Sequence, residues 1–182
     1  MKTFINSKKI ILTLGSIFII TLLFHFTLLC RAETKEVALG IPKKTIPEYY
    51  KKPYNFTSDW FTDNDRISLW ENTLANLKGK PNVNYLEIGV FEGRSLIWML
   101  ENILTNPSSK ASAIDIFHDG YKKIFLKNLK IGGFAKKVTV IKGYSQFKLR
   151  ELPLNSFDVI YIDGSHIAID VLIDEVLCWD LL

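Results

Sequence analysis

Residues 85–95 read Tyr85-Leu86-Glu87-Ile88-Gly89-Val90-Phe91-Glu92-Gly93-Arg94-Ser95. A short apolar run carries an acid, two glycines follow, and the residues after them suit a helix. Glycine lets the backbone turn sharply and come close to a ligand. The stretch therefore reads as a strand–turn–helix junction, the place where open α/β sheets bind ligands beyond the carboxyl end of a strand. A dinucleotide-binding junction asks for Gly-x-Gly-x-x-Gly around a pyrophosphate. Val90 and Phe91 follow Gly89 here, so the first requirement of that motif is absent. Taken alone the glycine turn is weak evidence.

The pattern repeats on both sides of the turn. Asp65 to Leu77 places Ile67, Trp70, Leu74 and Leu77 at helical spacing. Ser95 to Leu104 reads as a helix stopped by Asn106-Pro107, and Ala111 to Ile116 as a second strand. Tyr121 to Leu129 is a helix ended by Gly132-Gly133, and Val138 to Ile141 a third strand. Ser145 to Leu152 is a helix ended by Pro153, and Phe157 to Ile162 a fourth strand. Ile167 to Leu181 is a last helix with Ile169, Leu172, Ile173, Val176 and Leu177 on one face. Strands alternating with helices at this spacing predict right-handed βαβ units and a parallel sheet.

The residues just after each strand are then the ones to inspect. Asp115 follows the second strand, and a carboxylate there accepts two hydrogen bonds from the cis hydroxyls of a ribose; capping the next helix is its plain alternative. Ser145 and Gln146 follow the third strand, where they contact an adenine edge or simply cap a helix. Asp163-Gly164-Ser165-His166 follow the fourth. Asp163 has the chemistry to ligate a hard divalent cation, and His166 that of a general base near neutral pH. Structural roles, an N-cap and a surface ring, are the alternatives for that pair.

As a set, in this order, these four strand ends resemble the class I S-adenosylmethionine-dependent methyltransferases, in particular small-molecule O-methyltransferases of the macrocin type. The resemblance rests on residues 85–95, Ala113-Ile114-Asp115, Val138-Thr139-Val140-Ile141-Lys142-Gly143 and residues 157–166, within a similarity running from about Phe56 to Leu182. It implies a Rossmann-like α/β sheet of which the first four strands are present, in the order 3-2-1-4. It implies that Glu87, Gly89 and Gly93 hold the methionine moiety and ribose of S-adenosylmethionine, that Asp115 binds the ribose hydroxyls, and that Ser145 lies near adenine. Asp163 corresponds to the first ligand of Mg2+ or another divalent cation in metal-dependent members, and His166 to their base. The acceptor would be a small-molecule or sugar hydroxyl. The family's sheet continues with strands five to seven, so the chain reads as a C-terminally truncated domain. Strand four would then face an unpaired edge open to self-association. A membrane-tethered, non-catalytic S-adenosylmethionine-binding module is the second reading.

The N-terminus belongs to another class of segment. Ile10 to Leu29 is a run of twenty residues without a formal charge. As a helix it spans about 30 Å, the thickness of a bilayer's hydrocarbon core. A single-pass transmembrane helix is the expectation. A signal peptide, with Lys2, Lys8 and Lys9 as its basic region and secretion as its outcome, is the rival, and a buried core helix the third reading. Arg31 disfavours cleavage. Flanking Lys and Arg nearly tie on the two sides, so charge does not set the orientation. The cytosolic supply of S-adenosylmethionine favours a cytoplasmic domain. The expected organisation is an anchor or signal segment over 1–31, a linker over 32–57 interrupted by Pro42, Pro47 and Pro53, and the partial methyltransferase domain over 58–182.

Composition excludes little else. With 48% hydrophobic residues and a net charge of +4, the chain reads as globular and mildly basic. Its lysines are scattered, so a solvated surface and no nucleic-acid groove is expected. Cys30 and Cys178 do not read as a disulfide framework, and Cys178 reads as a small buried hydrophobe.

Overall fold

The computed structural model describes residues 10–13, 50, 52–62, 64–118 and 120–182. Their elements are strand β1 (Ile10–Thr13), helix α1 (Asn64–Leu74), β2 (Asn84–Ile88), α2 (Arg94–Asn102), β3 (Lys110–Asp115), α3 (Tyr121–Gly132), β4 (Val138–Lys142), the one-turn helix α4 (Ser145–Lys148), β5 (Val159–Ile162) and α5 (Ala168–Trp179). The strands form one sheet in the order β1-β5-β2-β3-β4, and every pairing is parallel. The four expected strands are β2, β3, β4 and β5, and they lie in the expected 3-2-1-4 order.

Alternation along the strands divides the core in two. Tyr85, Val159 and Tyr161 point to the side where Ile67, Trp70, Leu74, Trp98 and Phe125 pack. Leu86, Ile88, Ile160 and Ile162 point to the other, where Leu149, Phe157, Cys178 and Leu181 pack. Trp70 binds the first side together. Its ring meets Tyr161 at 4.8 Å, Phe61 at 4.9 Å and Trp98 at 5.7 Å between centroids, all edge to face, the arrangement ring quadrupoles favour.

Three expectations are corrected here. Ile10 to Leu29 is not one continuous helix, because Ile10–Thr13 is a strand paired with Val159–Ile162; residues 14–29 lie outside the described residues. For the same reason the outer edge of β5 is not open: it pairs with β1. Among the described residues no helix is long and apolar enough to cross a membrane. The third correction is in α5. Its buried side is made by Asp174 and Cys178, with Leu177 packed beside them, whereas Ile169, Leu172, Val176 and Trp179 face outward. The apolar stripe read from spacing is thus largely the outer one. Cys178 is fully buried, and burial pushes its thiol up to about 12, so it behaves as a hydrophobe.

The end of the stretch read as a linker is laid against the domain. Tyr50, Tyr54 and Phe56 pack on the core, the Tyr54 hydroxyl donates to Glu101 at 2.6 Å, and Lys52 Nζ donates to the carbonyl of Gly132 at 2.8 Å. Residues 32–49 and 51 of that stretch lie outside the described residues, as does Cys30.

Candidate functional site

Parallel strands leave their carboxyl ends on one side of the sheet, and the loops there make two adjoining cavities. The smaller, of about 230 Å³, is lined by Ile88, Ile114, Gly143, Tyr144, Ser145, Gln146, Ser165 and Asp170, among others. The larger, of about 670 Å³, is lined on its outer side by Ser58, Trp60, Phe61, Arg66, Arg94, His118 and Tyr121, and on its inner side by Asp163 and His166. Gly89, Asp115, Ile116 and Gly164 border both.

Asp115 stands at this junction. Its Oδ2 accepts the backbone N–H of Phe91 at 2.9 Å, and its Oδ1 that of Phe117 at 2.6 Å. Both phenylalanines have positive φ, 50° and 52°, a conformation that is costly for residues other than glycine. The carboxylate therefore holds two strained loops in place, one after β2 and one after β3.

Gly89, with φ of 83°, is required by a close crossing. A Cβ there would overlap the carbonyl of Asp163 and come within 2.5 Å of the Gly164 Cα. Gly93, at φ of 86°, has a different function: a Cβ would meet the Phe125 ring at 2.5 Å, so its smallness lets α2 approach α3. Gly89 borders the site and Gly93 packs behind it.

Glu87 is also behind the site. It is fully buried on β2, and both its oxygens are taken, Oε2 by the Tyr85 hydroxyl at 2.6 Å and Oε1 by the Ser95 hydroxyl at 2.5 Å. Burial pushes its carboxyl up to about 8, against the pull of those two hydrogen bonds. Its register partner on β5 is Tyr161, whose hydroxyl donates to Asp163 Oδ2 at 3.1 Å. Asp163 is pushed up to about 6 by burial, while Tyr161, His166 and Arg66 all pull it down. A row of buried hydroxyls and carboxyls thus runs beneath the larger cavity and surfaces at Asp163. His166, at the rim, is exposed.

Ser145 opens α4 and borders the smaller cavity, and its hydroxyl donates to Asp174 Oδ2 at 2.9 Å. Asp174 is buried, and its Oδ1 has no hydrogen-bond partner among the described residues. Gln146 and Ser165 both donate to Asp170, at 3.3 and 2.8 Å.

The structure thus brings Gly89, Asp115, Ser145, Asp163 and His166 to one crevice and sets Glu87 and Gly93 one layer back. Sequence reasoning missed the outer wall, above all Trp60, Arg66 and Tyr121. Residues 58–62 carry no periodicity, and Arg66 reads as an ordinary polar position on an amphipathic helix. Among the described residues, no group of three or more His, Cys, Asp and Glu could hold a metal ion. Asp163, expected as the first ligand of a divalent cation, borders the larger cavity, and its charge is felt by the buried Glu87.

Residues 86–182, more than half of the chain, match the family described as "Methyltransferase domain". The chain belongs to this family, the class I S-adenosylmethionine-dependent methyltransferases. An uncharacterised protein of Acanthamoeba polyphaga mimivirus is 33% identical over 99 residues, which are 51% of this chain and 43% of that protein. The chain thus spans less than half the length of this relative. A precorrin-6y methyltransferase from Geobacter metallireducens is similar in fold, with a TM-score of 0.53 and 18% identity, over 71% of this chain and 63% of that one. The O-methyltransferase TomG from Streptomyces achromogenes, in complex with S-adenosylmethionine, matches with a TM-score of 0.47 and 21% identity, over 60% of this chain and 48% of that one.

Proposed function

We propose that the protein transfers a methyl group from S-adenosylmethionine to a hydroxyl of a small molecule. The observation that carries this is the meeting of two cavities at Asp115 and the side-chain-free wall of Gly89 and Gly164. Each Asp115 oxygen takes one protein N–H. A carboxylate oxygen has room for a second donor, so the pair of ribose hydroxyls fits where the cavities join. Gly89 and Gly164 leave the backbone bare beside it, and Ser145 and Gln146 border the cavity suited to the base.

When bound, the cofactor supplies an electrophilic methyl group on its sulfonium. The residues of the chain then have positional tasks, since proximity and orientation carry much of the rate in such a displacement. The larger cavity holds the acceptor. His166 takes the hydroxyl proton at its imidazole, and Asp163 on the same loop attracts the imidazolium so formed.

Titration calorimetry of the 182-residue chain with S-adenosylhomocysteine tests this reading. Saturable heat and a raised Tm are expected. Neither, in a sample shown to be folded by circular dichroism, would sink it. Membrane attachment is a separate reading that rests on the apolarity of Ile10–Leu29 alone. The strand at Ile10–Thr13 competes with it, and recovery of the chain from carbonate-washed membranes decides between them.

A further inference from the structure

Trp60 is a large aromatic residue with 77% of its surface exposed, on a backbone that is held from every side. On one side Asp59 Oδ1 accepts the N–H groups of Phe61 and Thr62 at 3.1 and 2.8 Å. On the other, Arg94 Nε donates to the carbonyl of Ser58 at 3.0 Å and pairs with Asp59 at 3.3 Å. The Arg66 guanidinium donates to the carbonyl of Trp60 itself. The next side chain, Phe61, is buried among Trp70 and Trp98. The backbone of the turn is tied by these bonds, yet the indole takes no part in the core. It lines the larger cavity instead. An exposed aromatic ring on a pre-organised backbone is what a binding site needs and a core does not.

The rest of that cavity says which ring it receives. Phe61, Phe91 and Tyr121 supply further aromatic lining, and Phe91 and Tyr121 pack together with centroids 4.2 Å apart. Much of the polar lining is already committed. Glu92 takes both the hydroxyl and the N–H of Thr57, Ser95 donates to Glu87, and Arg94 holds Ser58 and Asp59. A sugar presents hydroxyls all round its ring and needs many polar partners. A planar aromatic compound needs faces to stack on and one polar contact at its reacting oxygen, where Asp163 and His166 stand.

We propose that Trp60 is a specificity-determining residue and that the acceptor is an aromatic hydroxyl compound, a phenol in the broad sense, stacked against the indole with its hydroxyl toward His166. This rests on the methyltransferase reading given above for the choice of hydroxyl, and on the aromatic wall for the ring.

The test uses the full chain with 2-naphthol and methyl α-glucopyranoside as probes, by calorimetry, each with and without saturating S-adenosylhomocysteine. Saturable binding of 2-naphthol and none of the glucoside is expected. Trp60→Ala should weaken 2-naphthol binding by about tenfold or more, and Trp60→Phe should restore most of it, as stacking on any ring would. Binding of S-adenosylhomocysteine by Trp60→Ala at wild-type affinity shows that the fold and cofactor crevice are intact. Preference for the glucoside, absence of naphthol binding by the folded wild type, or an unchanged naphthol affinity in Trp60→Ala would each overturn the proposal. Failure of S-adenosylhomocysteine to bind while naphthol still binds through Trp60 would overturn the methyltransferase reading and leave the aromatic site standing.

Discussion

The carboxylate of Asp115 accepts the backbone N–H of Phe91 at 2.9 Å, across 24 residues of sequence. One side chain at the end of β3 thereby holds the glycine loop of β2 in its αL turn while facing the crevice. Its loss should be felt twice, in ligand binding and in loop order. Asp115→Ala is expected to weaken S-adenosylhomocysteine binding by about 1.5–3 kcal/mol, the worth of hydrogen bonds to a charged group, and to lower the Tm. His166→Ala should leave cofactor affinity within about twofold, since its task is on the acceptor side. Calorimetry on both variants checks the split, and equal losses would contradict it.

Glu87 makes stability depend on pH. Its carboxyl is raised from 4.5 to about 8 by burial, so the folded chain holds the proton more tightly than the unfolded one. The contribution is fully present below about pH 4.5 and is lost as pH rises toward 8. Within that window the slope is at most about 1.4 kcal/mol per pH unit. Glu87→Gln removes the titrating group and should flatten the dependence of Tm on pH between 5 and 8. A wild type whose Tm rises steadily across this interval while the variant's does the same would show that Glu87 is not the group involved.

Gly89→Ala puts a methyl group into the carbonyl of Asp163 and asks an alanine to take φ of 83°. The conformation alone costs about 1–3 kcal/mol, and the overlap adds to it. The expected result is a chain that folds with a lower Tm and binds S-adenosylhomocysteine poorly, because the two loops bordering both cavities must part. Gly120→Ala is the control: it shares the positive φ of 84° but meets nothing within 4 Å, so it should lose stability and keep cofactor affinity.

Thr57→Val removes the hydroxyl that Glu92 Oε1 accepts at 2.5 Å and leaves the N–H bond to Oε2. Glu92 is buried, and an unsatisfied buried acceptor costs about 1–3 kcal/mol. Faster amide exchange at residues 52–62, with β2 and β3 unchanged, is the expected signature by hydrogen-exchange mass spectrometry. Uniform exchange throughout the domain would point to global destabilisation instead.

The parts of the fold legible in the sequence were those fixed by local chemistry. Residues 85–95 announce the first βα junction because an apolar strand, an acid and two glycines are contiguous, and Asp115 follows from its place after the next strand. Position alone does not tell whether a side chain faces the crevice or the layer behind it. Glu87 and Asp115 are both acids near strand ends, but Glu87 precedes Ile88 by one pleat and is sealed by Tyr85 and Ser95. The outer wall was illegible for another reason. Trp60 reaches the cavity because Arg94 and Glu92, more than thirty residues later, hold Ser58, Asp59 and Thr57, and no local pattern encodes a tertiary contact of that kind. In α5, spacing gave the apolar stripe correctly but not the side that packs, which Cys178 and Asp174 occupy.

The four tryptophans divide evenly. Trp70 and Trp98 are 4% and 1% exposed, Trp60 and Trp179 77% and 74%. The molecule therefore has its own optical contrast, a buried pair emitting at shorter wavelength and an exposed pair emitting at longer wavelength and open to collisional quenchers. Of the exposed pair only Trp60 lines the larger cavity. Shielding of the red-edge emission from acrylamide then reports an occupant of that cavity in the unlabelled wild-type chain, while the blue component, from Trp70 and Trp98, records whether the core stayed closed.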